Sequence, residues 1–141
     1  MPQDYAEAVK WFRKAFDQGY MAELYRLSRD YMDGQSLNQI YYEAAKQFYK
    51  AATAGDAEAQ YQLGLCYRFG QGAHQDHAEA ARWFRLAAEQ GEVNAQYHLG
   101  TYYYEGRGVE QDYLEAAWWF RNAAEKGHEK AKGMLKKLSS L

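Results

Sequence analysis

His74, Asp76 and His77 fall within one short stretch, and two imidazoles beside a carboxylate are side chains that can hold zinc. A closed site needs further ligands at recognisable spacing, and none follows. Asp76 has a competing role as a helix cap, and His77 takes the place held by Tyr5, Tyr41 and Tyr113 elsewhere in the chain. The single cysteine, Cys66, would need an adjacent base to act as a nucleophile, and no regular partner accompanies it. Gly70-Gln-Gly72 could cradle a phosphate, but no strand precedes it and the third glycine is missing. Its recurrence as Gly106-Arg-Gly108 marks it as turn punctuation. The glutamates recur as capping and solvent-facing residues, not as a catalytic pair. No catalytic residue, metal ligand set or cofactor is therefore expected, and the chemistry that remains is that of contact.

The elements that would position a contact surface are repeats. Glycines at 19, 55, 91 and 127 recur about every 36 residues, each closing a stretch like Asp76-His-Ala-Glu-Ala-Ala-Arg-Trp-Phe-Arg-Leu-Ala-Ala-Glu-Gln-Gly91. Asp4, Asp76 and Asp112 can cap these helices, with Glu7, Glu79 and Glu115 three residues later as in a capping box. Ile40 replaces the cap in the second copy. Another helix follows each closing glycine, over 22–33, 58–69, 94–105 and 130–138. Leu27, Leu63, Leu99 and Leu135 share one position there, and Tyr31, Tyr67 and Tyr103 another. Gly64 and Gly100 recur inside these helices at a cost of about 1 kcal/mol each against alanine, which close helix approach opposite small alanines would explain. Each unit reads as an antiparallel helix pair that hides its apolar face only by stacking on its neighbours.

Composition agrees with one packed domain: 141 residues, 48% hydrophobic, with a formal net charge of -2 that does not favour nucleic acid. No stretch approaches the roughly 18–20 unbroken apolar residues of a membrane span, so no membrane insertion is expected. Met-Pro-Gln-Asp-Tyr does not open a secretory signal, and a cytoplasmic protein is expected, or a periplasmic or secreted one if a signal has been removed.

The run Ala59-Gln-Tyr-Gln-Leu63-Gly64, Tyr67, Gly70, Gly72, then Asp76, Ala80, Trp83, Ala87-Ala88 and Gly91, resembles the Sel-one-like repeat, a relative of the tetratricopeptide repeat. Ala95, Leu99-Gly100, Tyr103, Gly106, Gly108, Asp112, Ala116, Trp119, Ala123-Ala124 and Gly127 match it again. The stretch 20–55 is a degenerate copy, 56–91 and 92–127 are full copies, 1–19 resembles an unpaired second helix, and 128–141 a C-terminal capping helix. The resemblance implies an all-α, right-handed α/α superhelical solenoid whose first helices line a concave groove. It implies a scaffold or adaptor that binds a protein or peptide partner. A cysteine-rich bacterial subgroup is associated with penicillin binding or weak β-lactamase activity, the runner-up reading. Lone Cys66 departs from that subgroup's paired cysteines, so the activity is not carried over. A structural segment of a longer array is the third reading.

Comparison among the copies separates packing from contact. On the first helices the stripe Ala59, Leu63 and Tyr67 is expected to be buried. Tyr61, Leu65 and Arg68 fall opposite it, with Phe69 alongside; Tyr97, Thr101, Tyr104 and Glu105 are their counterparts, preceded by Tyr25, Arg29, Met32 and Asp33. These are the candidate partner-binding residues, although the recurring tyrosines fit packing between adjacent first helices as well. A second candidate interface comprises Trp11 and Phe12, whose covering helix is missing, and Leu114 with Trp118, where the other copies carry Lys10, Lys46 and Arg82. Self-association through the unpaired N-terminal helix is the partner reading attached to it.

Overall fold

The computed structural model describes residues 34–141, with side chains described at 41, 42 and 45–141. Six helices follow one another: α1 (Gly34–Thr53), α2 (Ala57–Phe69), α3 (His77–Glu89), α4 (Val93–Glu105), α5 (Tyr113–Glu125) and α6 (Glu129–Ser139). Each packs on the next in chain order, most closely within the pairs α2/α3 and α4/α5. The chain is an all-α superhelical solenoid of antiparallel helix pairs. The helices expected within 1–19 and over 22–33, with Trp11, Phe12, Tyr25, Arg29 and Met32, lie outside the described residues.

Local chemistry sets the helix limits. Asp76 accepts a hydrogen bond from the Glu79 amide at 3.1 Å, and Asp112 from the amides of Leu114 and Glu115 at 3.0 and 3.2 Å. The reciprocal half of the capping box does not form at Glu79. Its carboxylate turns to Arg82 at 3.0 Å, a guanidinium one helical turn away. Asp56, Glu92 and the His128 ring cap α2, α4 and α6. The second copy differs: α1 begins at Gly34, so Gly34-Gln-Ser36 is helical and Ile40, at the cap position of the other copies, lies inside the helix. In the full copies glycine ends the first helix and a second glycine stands two residues later; in the earlier copy the equivalents are Gly34 and Ser36.

That second glycine has a packing reason. Gly72 (φ 81°) lies against the carbonyl of Tyr41 within α1, and Gly108 (φ 73°) against that of His77 at the start of α3, where any Cβ would collide. Gly64 and Gly100 serve the close approach expected of them, but against different residues. A Cβ on Gly64 would sit 2.6 Å from the Phe84 ring, and one on Gly100 2.8 Å from the Phe120 ring. Aromatic rings, rather than the alanines, press on the glycines. Phe84, Phe120, Leu99 and Tyr102 are fully enclosed, and the alanines at 59, 80, 87, 95, 116 and 123 complete the core between the helices.

Candidate functional site

The first helices of the two full copies share a sequence pattern but not an environment. Every residue of α2 from Ala59 to Cys66 is buried. Tyr61 and Leu65, expected on an outward face, are 5% and 4% exposed, which corrects that placement. The reason is that α2 is covered from the next repeat as well as by its own partner. The Tyr61 ring lies 6.0 Å from Phe84 of α3 and 5.8 Å from His98 of α4, and His98 in turn stacks on Phe84 at 5.1 Å. Tyr61 is thus a packing bridge between adjacent first helices. Tyr67, expected in the buried stripe with Ala59 and Leu63, is only half-buried, and Cys66 takes the deeper position.

On α4 the counterparts open. Tyr97, Thr101 and Tyr104 are half-buried and Glu105 is exposed. Tyr97 stacks on the capping ring of His128 at 4.5 Å, Thr101 donates its hydroxyl to the Tyr97 carbonyl at 3.0 Å, and Tyr104 leans on Tyr113 at 5.4 Å. At the end of α2, Phe69 is 54% exposed. Arg68 beside it is half-buried, with its guanidinium 5.3 Å from the Phe69 ring centre and 5.4 Å from that of Tyr102. Its Nη1 is enclosed without a hydrogen-bond partner, and no ion pair to it occurs among the described residues. The helix ends carrying these side chains are pinned alike: Gln75 donates to the Arg68 carbonyl and Gln111 to the Tyr104 carbonyl, each at 2.8 Å. Arg68, Phe69, Tyr104 and Glu105 therefore stand on equivalent helix ends held by the same glutamine hydrogen bond, and they differ between the two copies.

The groups that could have carried chemistry are otherwise engaged. Burial pushes the Cys66 thiol up to about 12, leaving it protonated and unreactive. His77 places Nδ1 3.0 Å from the Tyr102 hydroxyl, and burial, with Arg107 and Arg68 nearby, lowers its pKa. Among the described residues, no group of three His, Cys, Asp or Glu side chains could hold a metal ion, and no helix is long and apolar enough to cross a membrane. Leu114 and Trp118 lie on the surface of α5, 86% and 52% exposed.

Two residues were missed in the sequence: His98 occupies the position of Gln62, and Gly133 that of Tyr25, Tyr61 and Tyr97. Each is a departure from the repeat, and carrying the comparison among copies into the last helix would have exposed the Gly133 substitution.

The Sel1 repeat family model matches residues 1–20, 57–92 and 93–128. Among solved structures, c5321, a protective antigen of uropathogenic Escherichia coli with this fold, is 41% identical over 99% of this chain and 30% of its own, with a TM-score of 0.72. A Sel1 repeat protein of Oxalobacter formigenes is 33% identical over 71% of this chain and 40% of its own, with a TM-score of 0.66. Cysteine rich protein B of Helicobacter pylori is 25% identical over 94% of this chain and 96% of its own, with a TM-score of 0.59. No curated protein matches. The chain spans less than half the length of the first two of these relatives. With two consecutive full repeats matched and the same solenoid found in these relatives, the chain belongs to the Sel1 repeat family.

Proposed function

We propose that this protein is a binding scaffold that holds a protein or peptide partner against the exposed ends of its first helices. Sel1 repeats generally mediate protein–protein interactions, and their proteins are typically non-enzymatic scaffolds. The observation that supports this surface is the contrast between copies. At these helix ends Arg68 and Phe69 are replaced by Tyr104 and Glu105 in the next copy, and all four are half-buried or exposed. Aromatic and arginine side chains are the types that carry most interface energy, and these four are held on fixed helix ends, which limits the entropy lost on binding.

A double variant, Arg68→Ala with Tyr104→Ala, tests the reading. It should keep the helical circular dichroism of the parent and lose the proteins that the parent captures from lysate. A folded double variant that captures the same proteins would remove these residues from the proposal. Leu114 and Trp118 form a second surface, for which self-association is the reading their exposure favours. Trp118→Lys should then lower the sedimentation coefficient seen at high protein concentration; an unchanged coefficient rules that surface out.

A further inference from the structure

The last first-helix breaks the aromatic row. Tyr61 and Tyr97 fill equivalent positions on α2 and α4, but the next position, on α6, is Gly133. A Cβ built there meets nothing within 4 Å. The result is an open hollow of about 520 Å³ between α4 and α6, in which Tyr97 and Met134 supply apolar surface. Lys130, Lys136 and Lys137 line the same hollow and are exposed. Lys132 pairs with Glu129 at 3.2 Å, while no ion pair of the other three occurs among the described residues.

Helix electrostatics explain only part of this cluster. Lys136 and Lys137 lie in the last turn, where cations complement the helix dipole. Lys130 lies in the first turn, where the dipole disfavours it, and glycine inside a helix also carries a propensity cost. Neither residue serves the stability of α6, yet together they make a hollow with a cationic rim.

We propose that this hollow binds an acidic peptide segment of a partner protein, with one apolar side chain seated over Gly133 against Tyr97 and Met134 and flanking carboxylates paired to Lys130, Lys136 and Lys137. The proposal rests on the scaffold reading and gives that scaffold a charge preference. A peptide fits better than nucleic acid. Only three lysines converge and no arginine lines the hollow, which suits a few carboxylates beside one apolar side chain better than a run of phosphates.

Fluorescence anisotropy with a fluorescein-labelled peptide, Asp-Glu-Leu-Asp-Glu, tests the assignment. The wild-type chain should bind it, more weakly as salt rises. Binding should fall about ten-fold or more for the Asn-Gln-Leu-Asn-Gln and Asp-Glu-Gly-Asp-Glu peptides, which lack the charges or the leucine. Gly133→Tyr restores the residue of the earlier repeats and fills the hollow; it should abolish binding without lowering Tm. Lys130→Gln with Lys137→Gln should weaken binding and flatten its salt dependence. Undiminished binding to Gly133→Tyr overturns the site, as does equal binding of the uncharged peptide. A single-stranded oligonucleotide that displaces the peptide at equal concentration overturns the peptide assignment. Absence of peptide binding in a chain that still captures partners through Arg68 and Tyr104 overturns this site alone, leaving the scaffold reading intact.

Discussion

Helices α2 and α4 are built on one repeat pattern, yet α2 is sealed and α4 is partly open. Tyr61 and Tyr97 occupy the same position, but Tyr61 is covered by His98 from the following first helix. Tyr97, packed by the rings of His98, Phe120 and the cap residue His128, faces Gly133, which leaves space on its remaining side. Exposure in a stacked array is thus set by the neighbour as much as by the residue itself. A position that is sealed in one copy stands partly open in the next when the covering side chain changes.

The largest test of this contrast lies in the ring that holds the sealed side together. Phe84 is fully buried and touches Tyr61, His98 and Tyr102 as well as Gly64. Phe84→Ala should cost about 3–5 kcal/mol in urea denaturation and expose Tyr61 to chemical modification. A loss below about 1 kcal/mol would mean that α2 is sealed by something other than this stack.

Gly64→Ala and Gly100→Ala come next. Alanine favours helix by about 1 kcal/mol over glycine, but the added methyl must push the ring of Phe84 or Phe120 aside. Net losses of about 1–3 kcal/mol are expected, larger at Gly64, where the ring lies closer. Stabilisation of either variant would show that the rings shift freely.

Much of this organisation was legible in the sequence, because the glycines and capping aspartates are local signals whose physics does not depend on distant neighbours. The helix limits of the full copies, the caps Asp76 and Asp112, and the turns at Gly70 and Gly106 follow from them. The burial of Tyr61 and Leu65 did not follow. Helical periodicity divides a helix into two faces, whereas α2 is packed from several directions, and what covers Tyr61 is an imidazole about one repeat further along the chain. The α1 start at Gly34 did not follow either: Ile40, at the cap position of the other copies, lies inside the helix.

Acid sharpens the comparison further, since His98 seals Tyr61 only as a neutral ring. Burial, with Arg68, His128 and Lys130 adding positive charge, holds its pKa down to about 3, against about 6.5 when unfolded. The unfolded chain therefore binds the proton first. The stabilising contribution is fully present above pH 6.5 and is lost as pH falls toward 3, by about 1–2 kcal/mol between pH 6.5 and 5. His77 and His128, also lowered by burial, act in the same direction, and protonation of His128 removes the ring nitrogen that caps α6. Replacing His98 with Gln, the residue at position 62 of the preceding repeat, should reduce the slope of stability against pH in denaturant titrations. An identical slope would assign the acid response to other groups.

At the small end, Leu114→Ala should change stability by less than about 0.5 kcal/mol, because the side chain is 86% exposed. A larger loss would mean that α5 leans on that side chain in a way its exposure does not suggest.

The scaffold reading turns on which face meets the partner. A photoreactive phenylalanine analogue placed singly at 69, 104 and 86 addresses this, with Leu86 on α3 as the position outside the proposed surface. Illumination in lysate should yield protein adducts from positions 69 and 104 and none from 86. Adducts from position 86 alone would contradict the assignment of the first-helix ends as the binding surface.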